Sequence, residues 1–104
     1  MEHELEIVRL LPFAEKYLKE LNLGEQAAVV ADIDDIQKGN FAVAHTKQLR
    51  GPIRELIAGH HRFTYFQLGN ILYFVRGFRK KTAKTPLSEI EYASRIYKLM
   101  KSNV

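Results

Sequence analysis

The sequence predicts an α+β fold in which two N-terminal helices pack on a twisted antiparallel sheet and a C-terminal helix completes the structure. Three observations predict it. Apolar residues recur at helical spacing between positions 12 and 38, β-branched and aromatic residues crowd three short runs between positions 53 and 78, and Thr85-Pro86 opens a last stretch of helical period.

Taken in order, Glu4 to Leu10 alternates loosely and reads as a first strand. Pro12 suits the first turn of a helix, where its missing N–H has no partner to lose. Phe13, Ala14, Tyr17, Leu18 and Leu21 then form one apolar stripe that Asn22-Leu23-Gly24 ends. A second helix from Glu25 to Lys38 turns Val29, Val30, Ile33 and Ile36 inward and stops before Gly39-Asn40, which makes an αα-hairpin. The next stretch reads as irregular. Ile53 to Ile57, His61 to Gln67 and Ile71 to Phe78 follow as an antiparallel meander, separated by turns at Ala58-Gly59-His60 and Leu68-Gly69-Asn70. Thr85 is expected to cap the final helix with Pro86 at its first position, Glu89 and Glu91 near its positive end, and Ile90, Ala93, Tyr97 and Met100 along one face.

The chain has 104 residues, no internal repeat and no Gly/Ser/Pro-rich linker, so residues 1–104 are expected to form one domain. Its 46% hydrophobic and 27% charged residues are those of a folded chain. With no cysteine, disulfides, thiolate catalysis and Cys-based zinc sites are excluded, and a reducing compartment is expected. Glu2, Glu4 and Glu6 make the start acidic, with no apolar run long enough for a signal peptide or a span, so the expectation is a cytoplasmic protein without a membrane partner. No Gly-rich phosphate loop or His-Glu-x-x-His helix is present, and neither metal nor cofactor is expected. Asp32, Asp34 and Asp35 do not share one helix face and read as solvated surface. The net charge of +4 favours an anionic partner. Five cations fall within the nine residues Arg76 to Lys84, at the end of a β run, where a polyanion would release counterions on binding.

At this point the residues resemble a known family. Lys47-Gln48-Leu49-Arg50-Gly51 before the meander, His61-Arg62-Phe63-Thr64-Tyr65-Phe66 in its middle and Gly77-Phe78-Arg79-Lys80-Lys81-Thr82-Ala83-Lys84-Thr85-Pro86 after it are similar to the RelE/ParE toxin superfamily, more narrowly its phage-derived, HigB-like branch. The resemblance implies the toxin of a type II toxin-antitoxin module, a metal-independent endoribonuclease that cuts mRNA on the ribosome and inhibits translation. It also implies a cognate helix-turn-helix antitoxin and assembly as a homodimer or a toxin-antitoxin hetero-oligomer. Two alternatives share the fold: a ParE-like inhibitor of DNA gyrase, and a catalytically degenerate RNA-binding module.

Metal-free RNA cleavage has a 2′-hydroxyl attack the adjacent phosphate, so a site needs a base, cations for the transition state and an acid for the leaving 5′-oxygen. Arg62 is the first candidate for the cationic role, because a guanidinium stays charged and can fork two phosphate oxygens. Residue chemistry alone favours a strand-face arginine paired with Glu55; the resemblance, through the Tyr-Arg or His-Arg position of these toxins, reverses the order. Lys80 and Lys81 are expected to hold the scissile phosphate or assist a proton donor, their other reading being a solvated loop. Arg50, His61, Arg76, Arg79 and Lys84 are expected to touch flanking or ribosomal RNA. Glu55, His60, His61 and Tyr65 are candidates for the base, with Glu55 best placed to approach Arg62 across a strand pair. One departure stands out. The branch usually carries Glu-Leu-Arg in the first meander strand where this chain reads Glu55-Leu56-Ile57, and the nearest substitute, Arg54, falls on the opposite face by strand alternation.

Overall fold

The computed structural model describes residues 7–40 and 44–103. Their order is β1 (Ile7–Leu10), α1 (Pro12–Lys19), α2 (Leu23–Gln37), β2 (His45–Arg50), β3 (Ile53–Ala58), β4 (His61–Leu68), β5 (Ile71–Arg79) and α3 (Leu87–Ser102). The five strands form one sheet ordered β1-β5-β4-β3-β2. The expected α+β class and the three helices are present, and three details differ.

First, the sheet is mixed: β1 runs parallel to β5, from Ile7 opposite Ile71 to Leu10 opposite Phe74, while the other pairs are antiparallel. A parallel partner needs a long crossover, and α1 through β4 supply it. The part of the expected first strand from Glu4 to Glu6 lies outside the described residues. Second, the stretch read as irregular contains β2. This is an exposed edge strand, so its polar sequence His-Thr-Lys-Gln-Leu-Arg shows little of the apolar alternation that marks a strand buried on one face. Third, α2 begins at Leu23, two residues early, because Asn22 is its cap: the Asn22 side chain accepts a 2.8 Å hydrogen bond from the Glu25 N–H. Thr85 does not play that part for α3, where Pro86 occupies the cap position and makes no side-chain bond.

The helices lie on both sheet faces. α1 and α2 cover one face, where Ala14, Leu18, Val29, Ile33 and Ile36 pack on Leu56, Phe63, Tyr65 and Phe74. The other face carries a smaller cluster of Ile53, Phe66, Val75 and Ala93, joined by Tyr97 and Met100 of α3. Two expected core residues point outward: Val30 is 53% exposed and Phe13 is 56% exposed. The Phe13 ring instead meets Tyr92 edge-on at 6.2 Å, tying α1 to α3 around the sheet edge.

A bulge in β5 sets up the second face. Thr64 pairs with Arg76 and Tyr65 with Phe74, leaving Val75 as the extra residue. Val75 then joins the α3 cluster, and the neighbouring Arg76 reaches Glu89 of α3. Gly77 comes next, beneath α1. A Cβ there would stand 2.5 Å from Tyr17 Cδ1 and 2.8 Å from Phe63 Cε1, so only glycine lets α1 sit this close to the sheet.

Candidate active site

Where the sheet runs past the N-terminal end of α3, it floors a cleft of about 410 Å³. Two cross-strand rows build the floor. Lys47, Glu55 and Thr64 are aligned across β2, β3 and β4, and Ile57, Arg62 and Phe78 across β3, β4 and β5. The segment from Lys80 to Pro86 forms the wall. Its start is fixed by the Lys80 N–H, which donates a 2.8 Å bond to the His60 carbonyl in the β3–β4 turn.

Glu55 lies at the centre and is 2% exposed. Its Oε2 accepts a 2.5 Å hydrogen bond from the Thr85 hydroxyl, and its Oε1 is 3.9 Å from Arg62 Nε. The second spacing is an ion pair too long for a hydrogen bond. Arg62 is held from behind: Nη1 donates to the Gly59 carbonyl at 2.7 Å and to the His61 carbonyl at 3.0 Å. Gly59 has φ +62°, a conformation other residues adopt at a cost, and this tight turn carries its carbonyl to the guanidinium. Among the described residues Nη2 makes no hydrogen bond, so this arginine keeps donors for an anion in the cleft.

Only some of the expected residues meet in one place. Arg62, Glu55, Lys80, Lys81 and Lys84 meet at the cleft, and all three lysines are exposed. Arg54 does not. It lies on the opposite face, where Nε donates to Tyr65 Oη and Nη2 to Thr46 Oγ1, both at 3.2 Å, so Ile57 has no arginine in its place. Tyr65, 2% exposed, is held there as well.

His61 and Arg76 are engaged in packing. His61 is 6% exposed under α1 and α2, with Nδ1 receiving the Tyr17 hydroxyl at 2.7 Å and Nε2 against the Glu25 carboxylate. This placement corrects the expectation that His61 touches RNA. Burial pushes the Tyr17 phenol above its ordinary range, Arg79 draws it down and Glu25 pushes it up, so the phenol stays a donor. Arg76 sits 3.4 Å from Glu89 Oε1, with its guanidinium 5.7 Å from the Phe13 ring centre and 5.2 Å from that of Tyr92. It clamps α1, β5 and α3 together, so the side chain expected to touch flanking RNA has a packing role as well. Burial raises the Glu89 carboxyl above its usual range while Arg76 opposes the shift. Arg79 is exposed on the helical-pair side, and Arg50 lies at the far end of β2.

Two lining residues escaped the sequence reading. Lys47 enters the cleft because β2 is a strand that aligns it with Glu55, and Thr85 enters because its hydroxyl bonds that carboxylate instead of capping α3. The polar sequence His-Thr-Lys-Gln-Leu-Arg carries little signal of the strand that brings Lys47 to the cleft. Among the described residues no three His, Asp or Glu side chains converge as a metal site would require.

Three solved structures share this fold. The chain superposes on a RelBE toxin-antitoxin complex from Mycobacterium tuberculosis with a TM-score of 0.60 at 22% identity, covering 74% of this chain and 100% of that one. It superposes on an archaeal RelE-RelB complex from Pyrococcus horikoshii with a TM-score of 0.63 at 11% identity, covering 77% and 100%. For a RelB-RelE antitoxin-toxin complex from Methanococcus jannaschii the TM-score is 0.59 at 16% identity, covering 80% and 95%. Curated proteins give no sequence match. The model of the phage-derived, Gp49-like protein family matches residues 16–98, from within α1 to the last turns of α3 and thus across every residue of the cleft. The chain therefore belongs to the phage-derived Gp49-like family and carries it on a RelE-like fold.

Proposed function

We propose that this protein is the toxin of a toxin-antitoxin module and cuts mRNA on the ribosome. The observation that carries the reading is the convergence of Arg62 and the lysines at 47, 80, 81 and 84 on one cleft whose single carboxylate is already engaged by Thr85 and Arg62. A scissile phosphate fits such a site. The free donors of Arg62 meet the charge that grows on the phosphorane, and Lys80 and Lys81 hold the phosphate from the wall and supply the proton to the leaving 5′-oxygen. Glu55, fixed between Arg62 and Thr85, takes the proton from the attacking 2′-hydroxyl, which balances the proton that a wall lysine gives to the leaving oxygen. The RelE-like fold and the solved complexes with RelB support an antitoxin as the silencing partner.

One observation favours a second reading. Ile57 lines the cleft beside Arg62, where the resembling branch carries an arginine, so a module that binds RNA without cutting it has the same floor with one cation fewer. Expression without an antitoxin separates the readings. Growth arrest with primer-extension stops inside translated messages is expected; intact messages with arrest support binding alone, and intact messages with an SOS response support a gyrase inhibitor.

A further inference from the structure

At the other end of α3 lies a second groove, of about 760 Å³, between the β2–β3 turn and the last turns of the helix. Arg50 stands on one bank and Lys98 and Lys101 on the other, with Pro52, Ile53 and Tyr97 between them. We propose that this groove is a second RNA-binding site, one that holds the phosphate backbone of the strand whose scissile phosphate lies in the first cleft. The ligand class rests on the nuclease reading, and the site itself is tested apart from it.

The two α3 lysines are three residues apart and therefore share one face of the helix. Among the described residues no carboxylate lines the groove, and α3 carries no acidic residue after Glu91. Among the described residues Arg50, Lys98 and Lys101 take part in no ion pair; the one contact of their charges is that of Lys101 Nζ with the Tyr97 ring, 5.7 Å from its centre. Cations near a helix C-terminus complement its dipole, which accounts for Lys98 and Lys101 without any ligand. It does not account for Arg50, which comes from a different element and faces the same groove. Three positive charges without an ion-pair partner around an apolar floor attract an anion, and a nucleic acid supplies both the phosphates and the flat apolar surfaces. An acidic peptide would satisfy the charges alone. The positions favour one continuous ligand: Leu87 and Lys98 are roughly 16 Å apart along the helix at 1.5 Å per residue, so the two sites flank α3 on one side of the sheet.

Binding of a labelled single-stranded 2′-O-methyl RNA, which has no free 2′-hydroxyl to attack, reads the groove without cleavage. Fluorescence anisotropy over a salt series is expected to show that R50A/K98A/K101A binds at least about tenfold more weakly, with a salt slope shallower by about 2 to 3. Arg62→Ala should change this affinity far less. Unfolding curves for the triple variant should match those of the parent, since all three side chains are exposed. An unchanged affinity and slope overturns the proposal, as does failure of the parent protein to bind the RNA. Equal losses toward RNA and toward a polyglutamate peptide also overturn it, by assigning the groove to an acidic protein. Loss of message cleavage in cells while the groove still binds RNA would instead refute the nuclease reading and leave the groove standing.

Discussion

In the proposed function Arg62 is the side chain on which the chemistry turns, because its backbone contacts are made by Nη1 and leave other donors open to the cleft. Arg62→Ala is expected to lower message cleavage by about 10²-fold or more while ribosome sedimentation of the protein is nearly unchanged. Equal losses in both would make Arg62 a docking residue. Thr85 should act through stability. Thr85→Val deprives the buried Glu55 of its 2.5 Å bond, with an expected loss of about 1 to 3 kcal/mol in urea unfolding, and Thr85→Ser should recover most of it. Glu89 sets a pH dependence. Its folded-state pKa lies above the unfolded one, so between the two the folded chain binds more protons, and stability falls as pH rises through that window. The parent should therefore gain more stability on acidification from neutral pH than Glu89→Gln does; superimposable profiles of urea midpoint against pH would exclude this. At this scale the sequence was legible for the meeting of Arg62, Glu55, Lys80, Lys81 and Lys84 in one place, though not for Lys47. His61 and Arg76 were not: each looks like a free cationic or polar group until a helix distant in sequence supplies Glu25 or Glu89.

Among the elements, the legible ones were those whose burial leaves a period in the sequence. α1 and α3 each press one apolar stripe on the sheet, and β3, β4 and β5, covered by helices on both faces, show as runs of β-branched and aromatic residues. β2 left no such trace, being an edge strand with exposed polar residues, and its parallel counterpart β1 could not reveal its direction from four residues. The contact of α1 with β5 is the closest packing of helix on sheet. Gly77→Ala places a methyl within 3 Å of the Tyr17 and Phe63 rings, and a loss of about 1 to 3 kcal/mol is expected. A fall in urea midpoint with an unchanged slope would show it. An unchanged midpoint would mean that α1 shifts freely and that the seat of Tyr17 over His61 is loose.

For the molecule as a whole, the positive charge is asymmetric. The cleft and the groove beyond α3 are basic, whereas α2 carries Glu25, Asp32, Asp34 and Asp35 against no Lys or Arg of its own. Leu23, 82% exposed, and Val30 lie on that same helix, so the proposed antitoxin can dock there through apolar and basic side chains without entering the cleft. In co-expression with its antitoxin, pull-down should be weakened by Leu23→Asp with Val30→Asp and retained with Lys80→Glu. The reverse pattern would place the antitoxin over the cleft. No helix among the described residues is long and apolar enough to cross a membrane.

The parallel pairing of β1 with β5 carries a consequence for timing. Translation delivers Ile7 to Leu10 long before Ile71 to Phe74, so the sheet stays open along that side until most of the chain has been made. The wall from Lys80 to Pro86 follows later still. A nascent chain thus carries its cations on an incomplete frame while its own message is being read, and the cleft closes only near release. Stalled chains that end before Ile71 should be digested readily by protease and should spare the message that encodes them. Under the proposed nuclease function, the order of synthesis itself would keep the protein from cutting its template before a finished copy exists.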